Sequence, residues 1–311
     1  MLSYHLHPNL EGYDFGFSPT FFNKLEFQLH QSYDPLYSFY ILNQSTKNVL
    51  GFVHFTQVGE FAFSQPRAPF GGFELDISVR EVEFREFLAF IHDTLKGKGI
   101  KRIKIVEPPD IFGSDISFDS TEVLYEHNYQ VVAADVNHYV NLDDTVGMEH
   151  IHQMERRNFR KALAKGYKWK LESLEVLPEV YSFIERCRAQ NDLHVNIKFE
   201  DLNRSFKRFP GVYRIFSIRH HDYLAAASIT VEANQSILYN FLPASDKRFK
   251  ADSPMVFLLV SLYKYAKSLG YEVLDLGVSS IEGEIQSGLA EFKERMGALI
   301  CERRILEKKL N

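Results

Sequence analysis

Apolar and polar residues follow two periods along the chain, and the order of those periods repeats. In the first half, Ser38–Leu42 and Val49–Gln57 predict strands on either side of the turn-rich Asn43–Asn48, and Glu60–Ser64 predicts a third. Ser78 with Glu81 three residues on makes a capping-box pattern, after which Phe84, Phe87, Leu88, Ile91 and Leu95 share one helical face. Gly97 and Gly99 end that helix, and Ile100–Val106 predicts the next strand, closed by Pro108 and Pro109. In the second half, Val212–Ile218, Leu224–Val231 and Ile237–Leu242 predict three strands, with turns at His220–Asp222 and Ala233–Gln235. Asp252 or Ser253 then caps a helix with Pro254 in its first position. Its apolar residues, Phe257, Leu258, Leu259, Leu262, Ala266 and Leu269, run to Gly270, and Tyr271–Leu276 is the following strand. The segments FLAFIHDTLKGKGIKRIKI and FLLVSLYKYAKSLGYEVLDL superpose on Gly99 and Gly270. The pattern therefore predicts a duplicated α+β domain, each copy a mixed sheet with helices. Leu142–Lys170 joins the halves and holds a helical stretch, His150 to Lys165. The expected boundary lies near Thr145, giving domains 1–145 and 146–311 that pack together without a low-complexity linker.

Composition agrees with two soluble domains: 311 residues, at roughly 100–200 per domain, with 25% charged and 45% apolar residues. A net charge of −5 argues against a protein coated with positive charge. Cys187 and Cys301, far apart and without CxxC spacing, indicate neither a disulfide framework nor a zinc ribbon and fit a reducing, cytoplasmic setting. The opening residues have no cationic, apolar leader. The most apolar stretch, Met255–Leu262, stops at Lys264, short of the ~20 residues a membrane span needs.

The chain has no GxxxxGK[ST], GxGxxG or GxSxG motif. Ser261 and Lys264 spell SxxK within the most apolar helix, where a chance match is the better reading. The pairs His150-x-His152 and His220-His221 have no further ligands at metal spacing, so no metal site is expected. Three segments remain. RRNFRKALAKGYKWK, from Arg156 to Lys170, carries seven cations and no acid. It is either a phosphate-binding surface, with Tyr167 and Trp169 for stacking, or a solvated helix face with cations at its C-terminal end. PRAPFGGF, 66–73, offers Arg67 for an anion and Gly71 and Gly72 for close backbone approach, or is an ordinary strand-to-helix connection. The third is LDLGVSSIEGEIQSGLAEFKERMGA, Leu274 to Ala298. It predicts a strand, a glycine-containing loop and a helix from near Ser287 with an apolar face of Leu289, Phe292 and Met296. At 100° per residue Lys293 falls about 40° from Leu289, at the border of that face. Its ammonium either snorkels or stabilises charge on an acyl carbonyl oxygen.

The duplication, the basic RRNFRKALAKG, the SPMVFLLVSLYKYAKSLGYEVLDLG unit and the final GLAEFKERMGA together resemble the FemAB-like acyltransferases. That family has tandem domains of the GNAT fold and includes aminoacyl-tRNA-dependent enzymes that build peptidoglycan bridges. The match covers most of 150–300, and Phe292, Lys293 and Gly297 fit its Phe-Lys pair followed by Gly. The resemblance implies two tandem GNAT-like domains, each a mixed, mostly antiparallel sheet flanked by helices. It implies transfer of an acyl or aminoacyl group from an activated donor to an amine, in cell-wall or amino-sugar metabolism, with Lys293 stabilising the carbonyl oxyanion or positioning the donor. Tyr239 and Asp275, near strand ends facing a cleft between the domains, are candidates for proton handling. Arg67, Gly71, Gly72, Arg157, Arg160, Lys161 and Phe292 are candidates for substrate binding.

GNAT enzymes hold coenzyme A pyrophosphate on an R/Q-x-x-G-x-G/A loop, where this chain has the glycine-free LPASDKRFKADSP. Arg248, Lys250 and Ser253, at a helix N-terminus, are candidates for binding a phosphate-bearing donor. No tightly bound cofactor is expected, and the donor is acyl-CoA or aminoacyl-tRNA. The alternatives are an acyl-CoA-dependent N-acetyltransferase acting on a small metabolite or a non-catalytic GNAT-like module binding a phosphate-rich ligand.

Overall fold

A computed structural model of the chain describes residues 2–31, 35–64, 66–113, 116–142, 148–281 and 283–310. The chain forms two compact units. Unit 1 comprises Met1–Val136, Ser280–Glu284 and Cys301–Asn311, and unit 2 comprises Asn137–Ser279 and Ile285–Ile300. The expected boundary near Thr145 lies outside the described residues. Sequence order also differs from unit membership, because 280–284 and 301–311 follow the second domain's elements yet belong to unit 1.

In unit 1 the strands Leu36–Asn43, Asn48–Val58 and Phe61–Phe63 form an antiparallel meander, with Leu2–Leu6 added at one edge. The helix Glu81–Gly97 follows, then the strand Arg102–Val106, which lies parallel to Phe61–Phe63. Phe84, Phe87, Leu88, Ile91 and Leu95 form the buried stripe anticipated for the helix, packed with Phe39, Ile41, Val53, Phe55 and Ile103. At roughly 1.5–3 kcal/mol per large apolar side chain buried, this stripe holds the helix more firmly than helix propensity does. The cap lies two residues later than Ser78 and Glu81 suggested. Glu83 accepts from the Arg80 backbone N–H at 2.9 Å and from the Arg80 guanidinium, while the Ser78 hydroxyl donates to Asp76 at 2.5 Å.

Unit 2 repeats the plan with Tyr213–His220, Tyr223–Glu232 and Ile237–Ser245, the helix Pro254–Ser268 and the strand Val273–Val278, parallel to Ile237–Ser245. Lys168–Glu172 forms the edge. The helix Gln153–Ala164 packs on Pro254–Ser268, with the Phe159 and Phe257 rings stacked at 5.1 Å. Ser253 precedes the Pro254 helix in a left-handed conformation without a side-chain cap bond.

The copies extend beyond the first four strands. Each post-helix strand leads to a short helix, Ser120–Glu126 or Ser287–Arg295, and then to a long strand, Gln130–Asn141 or Leu299–Lys309. Those long strands are exchanged. Residues 137–141 pair with 273–278 in unit 2, and 305–309 pair with 102–106 in unit 1.

Candidate active site

In unit 2 the parallel ladder joins Ile237, Leu238 and Tyr239 to Val273, Leu274 and Asp275, and it ends there. Both strands carry an irregularity just beyond. The pairing with 223–232 skips Phe241, and the pairing with 137–141 skips Leu276. An extra residue bends its strand and increases the twist, so each strand turns toward its other neighbour and the two part. Pro243, with no N–H to give, lies on the diverging stretch.

Gly277 stands where they part, with φ +75°. A Cβ there would lie 3.3 Å from the Tyr239 ring and 3.4 Å from its hydroxyl. Asp275 accepts hydrogen bonds from the Gly277 N–H at 2.8 Å and the Asn137 amide at 2.9 Å. The Gly277 carbonyl accepts from Lys293 Nζ at 2.7 Å, and the Val278 carbonyl at 3.0 Å. Lys293 is 7% exposed. Burial drives its pKa down to about 7, against the opposing pull of Asp275. An ammonium has three donors, and two are used within the chain.

His138, cross-strand partner of Gly277, is wholly buried. Its Nδ1 lies 3.0 Å from Ser279 Oγ, and its Nε2 lies 3.8 Å from a Glu294 oxygen. Burial and the Lys293 charge hold its pKa below the ordinary histidine value.

Lys293 thus occupies the centre of the buried face of its helix, not the border. Ala290, Lys293 and Met296 are inside, Phe292 is partly buried, and Leu289 is exposed. Asp275 also differs from expectation. At 1% exposure, with its carboxylate engaged as described, it orients the Gly277 turn and does not face a cleft. Tyr239 remains partly exposed beside the parting strands.

The other candidates lie in different surroundings. In unit 1, Arg67 donates to the Gln31 carbonyl at 3.2 Å, the Gly71 N–H donates to the Val106 carbonyl at 2.8 Å, and a Cβ on Gly72, which has φ +97°, would meet Ile105 at 3.5 Å and Pro108 at 3.6 Å. Phe70, between Phe22 and Phe112, anchors that connection. The basic segment divides. Lys161 donates to the Ala251 carbonyl and Lys165 pairs with Asp252, whereas Arg157 and Arg160 are exposed without an ion-pair partner among the described residues. Arg248 is forked onto Asp246, Lys250 is exposed, and Ser253 Oγ is not used as a cap. His152 caps the Gln153 helix by accepting from the Met154 N–H, and His220 stacks on Tyr167 at 4.5 Å. Among the described residues no group of three or more His, Cys, Asp or Glu is placed to hold a metal, and no helix is long and apolar enough to cross a membrane.

His138 and Asn137 were not legible as site residues because their strand precedes the strand it pairs with, 273–278, by more than 130 residues. Nothing local in VNHYVN marks it as belonging to that sheet.

The duplication provides an internal comparison. Phe63 and Lys104 are paired in unit 1 as Tyr239 and Asp275 are in unit 2, and Val106 pairs with Ile305 as Gly277 does with His138. Leu124 accepts from the Tyr129 N–H around a left-handed Asn128, as Lys293 accepts from the Ala298 N–H around a left-handed Gly297. Unit 2 therefore has Tyr, Asp, Gly, His and Lys where unit 1 has Phe, Lys, Val, Ile and Leu.

The architecture is that of tandem GNAT domains, and residues 152–294 match the family model described as acetyltransferase (GNAT) domain. The chain has the fold of the FemAB-like acyltransferases that its sequence resembles. It is similar to the crystal structure of FemX, with TM-score 0.69 and 14% identity over 93% of this chain and 92% of that one. It is also similar to L-PGS from Bacillus licheniformis, at TM-score 0.59 and 15% identity over 87% and 83%. A tandem GNAT protein from the clavulanic acid biosynthesis pathway aligns at 0.53 and 9% over 89% and 83%. Compared by sequence with curated proteins, the chain has no match.

Proposed function

We propose that unit 2 catalyses transfer of an aminoacyl group from an activated ester, of the kind carried by tRNA, to an amine. The supporting observation is the buried Lys293 ammonium at the parting strands, with one donor left over, where the duplicated unit has Leu124. The acceptor nitrogen attacks the ester carbonyl carbon, forming a C–N bond and placing negative charge on the carbonyl oxygen. The third Lys293 N–H stabilises that oxygen in surroundings where a charge-assisted hydrogen bond is strong. Collapse breaks the C–O bond, and the proton lost from the amine passes to the departing oxygen, a transfer assigned to the Tyr239 hydroxyl. Asp275 positions the Gly277 carbonyl and, through it, Lys293.

Two features favour an aminoacyl ester over acyl-CoA. The fold is similar to that of FemX. The 246–252 turn, which stands where GNAT enzymes bind pyrophosphate, carries Asp246 and Asp252, which already neutralise Arg248, Lys161 and Lys165. The test is amide formation, read by mass spectrometry, with a mixture of aminoacyl-tRNAs and a panel of amines. Lys293→Met should lose roughly 10²–10³-fold in rate while remaining folded by circular dichroism. Full activity in that variant would sink the assignment. Turnover of acetyl-CoA, with none of aminoacyl-tRNA, would move the donor to acyl-CoA.

A further inference from the structure

Lys293 is not the only polar side chain that unit 2 buries where its duplicate is aliphatic. Unit 1 has Ile305 opposite Val106 and Leu124 on the short helix; unit 2 has His138 opposite Gly277, and Lys293. Packing alone therefore does not call for an imidazole. The His138 ring is wholly buried, and among the described residues its Nε2 has no hydrogen-bond partner, an unfavourable state for a ring nitrogen out of water. Nδ1 lies 3.0 Å from the buried Ser279 Oγ, and Nε2 lies 3.8 Å from an oxygen of Glu294, the residue after Lys293. When the Ser279 hydroxyl donates to Nδ1, the ring hydrogen sits on Nε2 and points at the carboxylate. The other tautomer would set a lone pair against it. The separation exceeds a hydrogen bond, but inside a protein a carboxylate attracts an N–H dipole at that range. Within the helix Ser287–Arg295 only Ala290 and Lys293 are buried, and its last residue is held by Glu155, 3.0 Å from Arg295 Nε. The contact at Glu294 is thus a second hold on how that helix is turned.

We propose that His138 is a positioning residue: by attracting Glu294 it fixes the rotation of helix 287–295 at which Lys293 reaches the Gly277 and Val278 carbonyls and keeps its third N–H available. Wholly buried, it acts through Lys293 and not on the substrate. That the third N–H acts on an ester carbonyl rests on the acyl-transfer reading; the placement of Lys293 does not.

The test follows Lys293 by NMR in the full chain, isotope-labelled at lysine Cε, its signal identified by its absence from Lys293→Met. In the wild type it should titrate near pH 7. His138→Leu should raise that midpoint by about one pH unit or more, because a turned helix carries the ammonium toward water and its ordinary value. A leucine that only filled the space would leave the ammonium as desolvated as before, so a midpoint that stays near 7 or falls overturns the proposal. His138→Gln, whose side chain can accept from Ser279 and donate toward Glu294, should restore most of the wild-type value; a midpoint as high as the leucine variant's also overturns it. Melting shows whether His138→Leu folds. If it does not, Ser279→Ala, which removes the group that orients the ring, carries the comparison and should move the midpoint the same way. In the amide-forming assay kcat of His138→Leu should fall about tenfold or more, as for a misplaced catalytic group, with KM for the amine unchanged. A shifted midpoint with undiminished kcat, or in a protein that transfers no aminoacyl group, would sink the acyl-transfer role of Lys293 and leave its positioning by His138 standing.

Discussion

A lysine whose pKa falls to about 7 when the chain folds makes stability depend on pH in a defined direction. Between pH 7 and about 10.5 the unfolded chain keeps a proton that the folded chain has released, so stability rises across that interval. Below pH 7 the full cost of burying the ammonium is present. Urea unfolding at pH 6.5 and 9.5 should show the wild type gaining stability relative to Lys293→Met at the higher pH; an equal difference at both values would contradict the burial described here. In the proposed reaction the same ionisation acts on rate in the opposite sense, because the stabilising cation is lost as pH rises. The profile of kcat/KM should carry an alkaline limb near pH 7 that is missing from the residual activity of Lys293→Met. Lys293 was legible in the FKERMG segment as a candidate, but its burial was not. A helical wheel ranks side chains by polarity and so turned Leu289 inward. In the folded chain the Gly277 and Val278 carbonyls take two of the ammonium's three donors, and a nine-residue helix has no further apolar turns to oppose that rotation.

The turn after that helix shows why its glycine is needed. Gly297 and Asn128 adopt the same left-handed backbone after equivalent helices, so conformation alone would tolerate asparagine. At Gly297, however, a Cβ would lie 2.2 Å from His150 Cδ2 and 2.9 Å from the His150 carbonyl oxygen. Gly297→Ala should therefore destabilise by about 1–3 kcal/mol for the backbone conformation, with the clash adding to this. Gly297→Asn should also destabilise, although it relieves the conformational cost. Unchanged denaturation midpoints would show that His150 moves aside freely. Other elements differed in legibility for related reasons. The helices 81–97 and 254–268 carry enough apolar positions at helical spacing to stand out alone, and their following strands are short runs of Ile, Val and Leu closed by proline or glycine. The strands 130–141 and 299–309 are shaped by distant partners. Their inward and outward residues alternate irregularly, and neither announces the sheet it joins.

For the molecule as a whole, the duplication visible in the sequence is real but its two products are not independent lengths of chain. Leu306 enters the core of unit 1, Arg303 bonds Asp135 and the Pro69 carbonyl, and Arg304 pairs with Glu107. Deleting 301–311 should abolish hydrogen-exchange protection across 36–63 and 102–106 while leaving protection in 213–278. Uniform loss, or none, would show that the units do not owe their stability to these separate sets of contacts.

The exchanged strands also give the protein a history during its own synthesis. Strand 102–106 is made early, but its antiparallel neighbour, 305–309, leaves the ribosome some two hundred residues later, roughly 10–40 s at ordinary elongation rates. Over that interval the first unit presents an unpaired strand edge, a surface open to pairing with other nascent chains. The second unit's sheet receives its borrowed strand 137–141 before its own elements emerge and can close first. The half translated first is thus the half finished last, and the unit that carries Lys293 is assembled while its duplicate still awaits its final strand.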